Sequence, residues 1–197
     1  CISEISPGIM ITVFNYRINQ LLGTNGLVTF TVLMYIYNLV LMVMVGTSQG
    51  TQPLVSFYYG RNDKKAVSTL HKYARVLVSC AGALLFLVVE IFAPNITAAF
   101  IPKDTANYYN TITALRQFSF VFLIMGHVVI TSGYMVALEE PRKAFVLSIS
   151  RGILFVLLSL FICTTLFKEN GIWISCTISE IFCLSIALYD LKTQKKI

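Results

Sequence analysis

The chain has 197 residues, is 56% hydrophobic and only 12% charged, and carries a formal net charge of +6 with a mean hydropathy of +0.75. A soluble domain carries about 25% charged residues, so a surface wetted on all sides is excluded. The basic residues sit in short loops between apolar segments rather than on one amphipathic face, which excludes nucleic acid as a partner.

A span needs roughly 20 apolar residues to cross the hydrocarbon layer. Six such segments are predicted, at 1–22, 27–59, 73–101, 109–138, 144–167 and 172–191. The short connections between them make neighbours antiparallel and adjacent. The fold class is therefore all-α integral membrane, with residues 1–197 forming one bundle of six transmembrane helices. The first residue is Cys rather than Met and no signal peptide precedes it, so the N-terminus is expected to have been cut from a longer chain.

The first span holds Glu4 and, about 20 Å further along the same helix, Arg17, which is expected to snorkel outward. An ionisable residue at membrane depth is costly and marks a candidate functional site. Burial without a partner disfavours an ionised carboxylate, which suits a group that binds and releases a proton. The alternative places Glu4 at the cytoplasmic mouth, solvated. The second span, near 50 Å long, exceeds what a bilayer needs, and it contains Gly46-Thr47-Ser48-Gln49-Gly50-Thr51-Gln52-Pro53. Pro53 removes a backbone donor and disfavours helix at Gln52. The segment reads as a simple kink or helix end, or as a hinge lining a cavity. An interruption between Gly46 and Pro53 is expected, with Gln49 or Gln52 facing the bundle interior.

Glu90, just before Pro94, is expected to pair with Arg116 in the fourth span. His127, after Gly126, reads as a packing histidine, and His71 lies in a basic loop. In the last two spans Arg151 and Glu180 lie at depths differing by about 7–9 Å on adjacent antiparallel helices. A long arginine can close that gap, giving either an ion pair that pins the two helices or a transport role. Cys176 and Cys183 are about 10 Å apart along one helix, too far for a disulfide. All five cysteines lie in apolar segments and read as packing residues, with no metal site.

Ten Lys and Arg residues, counting Arg75 at the start of the third span, fall in or beside the loops after the second and fourth spans and in the C-terminal tail, against Lys103 and Lys168 on the other side. By the positive-inside bias those loops and the C-terminus are cytoplasmic. Tyr108, Tyr109 and Trp173 then mark the outer interface and Tyr58, Tyr59 and Tyr189 the inner one. There is no H-E-x-x-H, no G-x-S-x-G and no Gly-rich phosphate loop, so the chain gives no sign of an enzyme and any pumping would be ion-driven.

Several stretches go beyond generic membrane pattern: Ser3-Glu4-Ile5 with Phe14-Asn15, Gly46-x-x-x-Gly50-x-Gln52-Pro53, and Ser56-Phe57-Tyr58-Tyr59-Gly60-Arg61-Asn62. Leu115-Arg116 and Gly171-Ile172-Trp173 with Glu180 continue the series. From end to end the chain resembles the C-terminal half of the multidrug and toxic compound extrusion (MATE) family, in its bacterial, staphylococcal-type multidrug efflux branch. The Q-P…Y-G-x-N stretch carries most of the likeness.

The resemblance implies one lobe of a twelve-helix antiporter that expels cationic organic compounds by alternating access, driven by a proton or sodium gradient and needing no cofactor. Glu4 matches the acid of the family's seventh helix; Glu4 and Glu180 are the ion-coupling candidates. Asn15, Tyr35, Gln49 and Gln52 are the substrate-cavity candidates. An acid found in the tenth helix of sodium-coupled members has no counterpart here, where Met125, Gly126 and His127 stand, which favours protons. The expected partners are the lipid bilayer, an N-terminal six-helix lobe and small cationic substrates, in a bacterial inner membrane. Two other readings stay open: a lipid or polysaccharide flippase of the same superfamily, and a transport-inactive fragment that only packs with partner helices.

Overall fold

Backbone polar groups in hydrocarbon have no water to bond, so a chain this apolar satisfies them inside helices. The computed structural model describes residues 2–194, and the side-chain surroundings of all of these except 2–7, 9, 141 and 189–194. The order is α1 (Ile2–Gly60), α2 (Lys64–Ala98), α3 (Ala106–Ser119), α4 (Phe122–Ala137), α5 (Pro141–Ile149), a π turn (Ser150–Leu154) and α6 (Phe155–Gln194). Among the described residues there is no strand.

A straight helix of the 59 residues of α1 would be about 90 Å long, and the chain does not run straight. At Gly23 the backbone takes φ 64° and ψ −156°, a conformation open to glycine because it has no Cβ. Phe14 then stacks on Phe30 at 5.5 Å between ring centroids, a contact that a straight helix would hold about 24 Å apart. α6 breaks in the same way at Lys168, φ 51° and ψ −121°. Gly171 there comes so close to the Cys163 carbonyl that a Cβ would strike it. Four helical stretches are long and apolar enough to cross a membrane, and α3 with α4 makes a fifth span bent by 44°. The break at Gly23 divides the first of the four and sets apart the segment expected as the first span.

Two local expectations are corrected. The stretch 60–72, read as a loop because of its basic residues, is a three-residue turn. The Ala66 amide donates to Asp63 Oδ1 at 2.9 Å and starts α2 at Lys64, nine residues earlier than expected. Lysine and histidine are tolerated in a helix that has left the hydrocarbon, so charge marked depth there rather than helix end. Likewise α1 keeps helical geometry through Pro53 to Gly60. Proline removes one donor. Nearby hydroxyls supply bonds of their own, Thr47 Oγ1 to the Val43 carbonyl at 2.9 Å and Thr51 Oγ1 to that of Thr47 at 3.0 Å.

α4 is the centre, packed against α1, α2, α5 and α6. Its Phe122, Met125 and Met135 are fully buried, in cores shared with Ile18, Leu33, Met44 and Val78 or with Leu147 and Cys183. At Gly133 a Cβ would strike Ser48 Oγ and lie 2.7 Å from Gln52 Nε2, so glycine lets α1 and α4 close on one another.

Candidate transport face and buried ion pair

The outward faces of α1 and α2 differ in chemistry. The exposed stripe of α2 is apolar for most of its length, with Val76, Leu77, Leu84, Leu87, Val88 and Ile91. That of α1 is mixed: Asn15, Asn19 and Gln20 before the break, and Thr31, Tyr35, Asn38 and Gln49 after it, stand among exposed Leu39, Met42 and Val43. Residues 31, 35, 38 and 49 recur at helical spacing, which puts them on one line. The Tyr35 ring stacks on Phe100 at 6.0 Å, and Asn38 Nδ2 donates to the Met34 carbonyl at 2.8 Å. Of the four cavity candidates, Asn15, Tyr35 and Gln49 lie on the exposed face, while Gln52 is half-buried against Gly133. Glu4 is in α1, but its side chain lies outside the described residues. Arg17 does not snorkel free: its Nε and Nη2 each reach Thr164 Oγ1 at 3.4 Å, and Nη1 reaches Gln20 Oε1 at 3.3 Å.

The interior of the lobe holds an ion pair. Arg151 Nε donates to Glu180 Oε1 at 2.8 Å, with side chains 22% and 7% exposed. Arg151 Nη2 also donates to the Tyr37 hydroxyl at 3.3 Å. Three segments are thereby tied: α1 after its break, the π turn, and α6 after its break. A π turn inserts an extra residue into a helix and re-aims what it carries; here it carries Arg151. Glu180 Oε2 is buried and has no hydrogen-bond partner among the described residues. The two charges were legible in the sequence; Tyr37 was not. Its only signal is a phenol in mid-span, where a hydroxyl has to find a partner.

Elsewhere Arg116 Nε lies 3.7 Å from Glu90 Oε2, and Ser119 Oγ donates to Glu90 Oε1 at 2.8 Å. His127 Nε2 is 3.2 Å from Ser79 Oγ. Among the described residues no group of three or more His, Cys, Asp or Glu side chains is placed to hold a metal ion.

A cavity of about 250 Å³ opens at the end of the bundle where Gly23 and Lys168 sit. Asn25, Asn107, Asn110, Gln117, Glu169 and Trp173 line it. Asn107 is fixed there, its Nδ2 donating to the Asn25 carbonyl at 3.2 Å and its Oδ1 accepting from Thr29 at 3.3 Å. Trp173 is only 7% exposed. It is a wall of this cavity rather than the interfacial anchor expected from sequence. Tyr109 is 70% exposed, whereas buried Tyr108 donates to the Pro94 carbonyl at 3.0 Å.

The MatE family model matches residues 2–167. No curated protein matches the chain. Among solved structures it is similar to an outward-facing multidrug resistance MATE family transporter of the MOP superfamily, at 20% identity and a TM-score of 0.90, covering 100% of this chain and 45% of that one. An inward-facing transporter of the same description gives 0.89 at 20% identity, with 98% and 46% covered. A MOP superfamily transporter from Pyrococcus furiosus gives 0.90 at 20% identity, with 98% and 44% covered. The chain thus spans about half the length of the transporters it matches, and likeness at these identities is likeness of fold.

Proposed function

The chain belongs to the MatE family, and from that premise we propose that it is the C-terminal lobe of a cation-coupled antiporter exporting cationic organic compounds. The proposal extends to a multidrug efflux protein of the staphylococcal-type branch in a bacterial inner membrane, with the C-terminus cytoplasmic. The observation that carries it is the exposed face of α1, with Asn15, Tyr35 and Gln49 on helical lines. An amide left in hydrocarbon without a partner costs roughly 2–7 kcal/mol, so this face suits a water-filled cavity closed by a second lobe. The apolar face of α2 suits lipid. An antiporter that works by rocking needs lobes that keep their shape. The similar likeness of this lobe to an outward-facing and an inward-facing transporter, at TM-scores of 0.90 and 0.89, supports that reading.

Two carboxylates are candidates for the coupling ion. Glu4 lies on the α1 arm that also carries Asn15. Glu180 has one oxygen on Arg151 and the other buried without a partner. We assign Glu4 the exchange and Glu180 first the pinning of α6 to the π turn. Proton or sodium is the driving ion in this reading, with the missing tenth-helix acid favouring protons. The test is drug accumulation in cells expressing the intact transporter, with the proton and sodium gradients collapsed in turn. Accumulation should rise only when the coupling gradient is lost. Accumulation unaffected by either collapse would end the reading.

A further inference from the structure

We propose that the cavity at the Gly23–Lys168 end is a binding site, separate from the α1 face, for a small organic cation bearing an ammonium group. Glu169 is the one charged side chain among its lining residues, so the site carries a single negative charge. Carboxamides of Asn25, Asn107, Asn110 and Gln117 surround it and supply oxygen acceptors. One of these, Gln117 Oε1, is buried and has no hydrogen-bond partner among the described residues. The indole of Trp173 completes the wall, and a tryptophan face attracts an ammonium group more strongly than other rings do. A carboxylate, amide oxygens of which that of Gln117 is unsatisfied, and an aromatic wall together describe a receptor for a cation that is partly apolar. A bare metal ion would make no use of the indole.

Size sets the ligand class. Pockets for drug-sized molecules hold roughly 300–1,000 Å³, and about 250 Å³ is smaller. The occupant is therefore a compact alkylammonium rather than a polycyclic drug. Three segments distant in sequence build the site: the turn after Gly23, the first turns of α3, and the turn after Lys168. The proposal does not depend on export.

The test is calorimetric titration of the purified intact protein in lipid nanodiscs with tetramethylammonium, sodium and a neutral tert-butyl alcohol control. Emission from Trp173, the one tryptophan of this sequence, is followed in parallel. Tetramethylammonium is expected to bind saturably and shift the emission, while the alcohol does neither. Glu169→Gln, at an exposed position that should not affect folding, is expected to weaken binding about five-fold. Asn110→Ala should weaken it less. Sodium giving the same saturable heat and emission shift at equal concentration would overturn the organic ligand. Absence of saturable binding by tetramethylammonium, or binding unaltered in Glu169→Gln, would overturn the site.

Discussion

Arg151 and Glu180 stand on different segments of the bundle, yet their Nε and Oε1 atoms meet at 2.8 Å, with Tyr37 of a third segment on the far side of the guanidinium. Taking two charges out of water is costly, and a buried pair repays that cost only while both members are present. Arg151→Met or Glu180→Leu alone should destabilise the lobe by about 3–5 kcal/mol, because each leaves an uncompensated buried charge. The double variant should recover most of the loss. Tyr37→Phe should cost about 1.5–3 kcal/mol, the range for a hydrogen bond to a charged group. Thermal unfolding in detergent reads all four. Single variants as stable as the wild type would mean that the pair does not hold the helices.

Gly133 and Gly50 make a paired test of packing. A Cβ at Gly133 meets Ser48 and Gln52, whereas one at Gly50 has nothing within 4 Å. Gly133→Ala should therefore lose about 1–3 kcal/mol to overpacking, and it should push Gln52 from its half-buried position. Gly50→Ala should be neutral or gain up to about 1 kcal/mol from a stiffer helix. Equal unfolding temperatures for the two would contradict the close approach of α1 and α4.

What the sequence revealed depended on how local each feature was. Hydropathy located the long spans because each is a run of apolar residues, while the bend between α3 and α4 left no mark in it. The pair Arg151–Glu180 was legible because charges stand out against apolar neighbours. Pro53 misled: the rule that proline disrupts a helix interior was overridden in α1, which passes through it unbroken. The basic run after Gly60 misled in the opposite direction, since Asp63 caps a helix that carries those charges out of the membrane. The π turn under Arg151 has no compositional signature. The cavity was invisible in the sequence because Asn25, Asn107 and Trp173 come from three separated segments.

The outer ion pair should behave differently from the inner one. Arg116 is 50% exposed and Glu90 27%, at 3.7 Å. Screening by solvent limits such a pair to about 1 kcal/mol or less. Arg116→Gln should lower stability by no more than that, with the effect shrinking as salt is raised. A loss as large as that of Glu180→Leu would place this pair in a far drier environment than its exposure indicates.

Orientation rests on ten cations against two in the loops and tail. Lys65→Cys, in the exposed first turn of α2, should react with a membrane-impermeant maleimide only after the cells are opened. Labelling from outside intact cells would invert the topology and put the C-terminus outside.

Glu4 is the decisive residue for coupling. It lies on the α1 arm whose exposed face carries Asn15, Asn19 and Gln20, and no cation lies within about 20 Å of it along that helix. Neutral, a carboxyl group crosses a low-dielectric region at small cost; ionised, it attracts a cationic drug or a coupling ion. A proton and a drug that compete for one negative charge produce exchange without touching one another, because only one of them can be bound when the lobes rock. Glu4→Gln keeps the shape and removes the charge. In the intact transporter it should abolish gradient-driven export, with protein level and unfolding temperature close to wild type. Drug binding by the variant should lose its dependence on pH. Efflux at the wild-type rate with the wild-type pH profile would remove Glu4 from the mechanism. The exchange would then have to run on Glu180 or on a carboxylate of the other lobe, and the paired Arg151→Met, Glu180→Leu variant, which keeps the lobe stable, separates those two in the same assay.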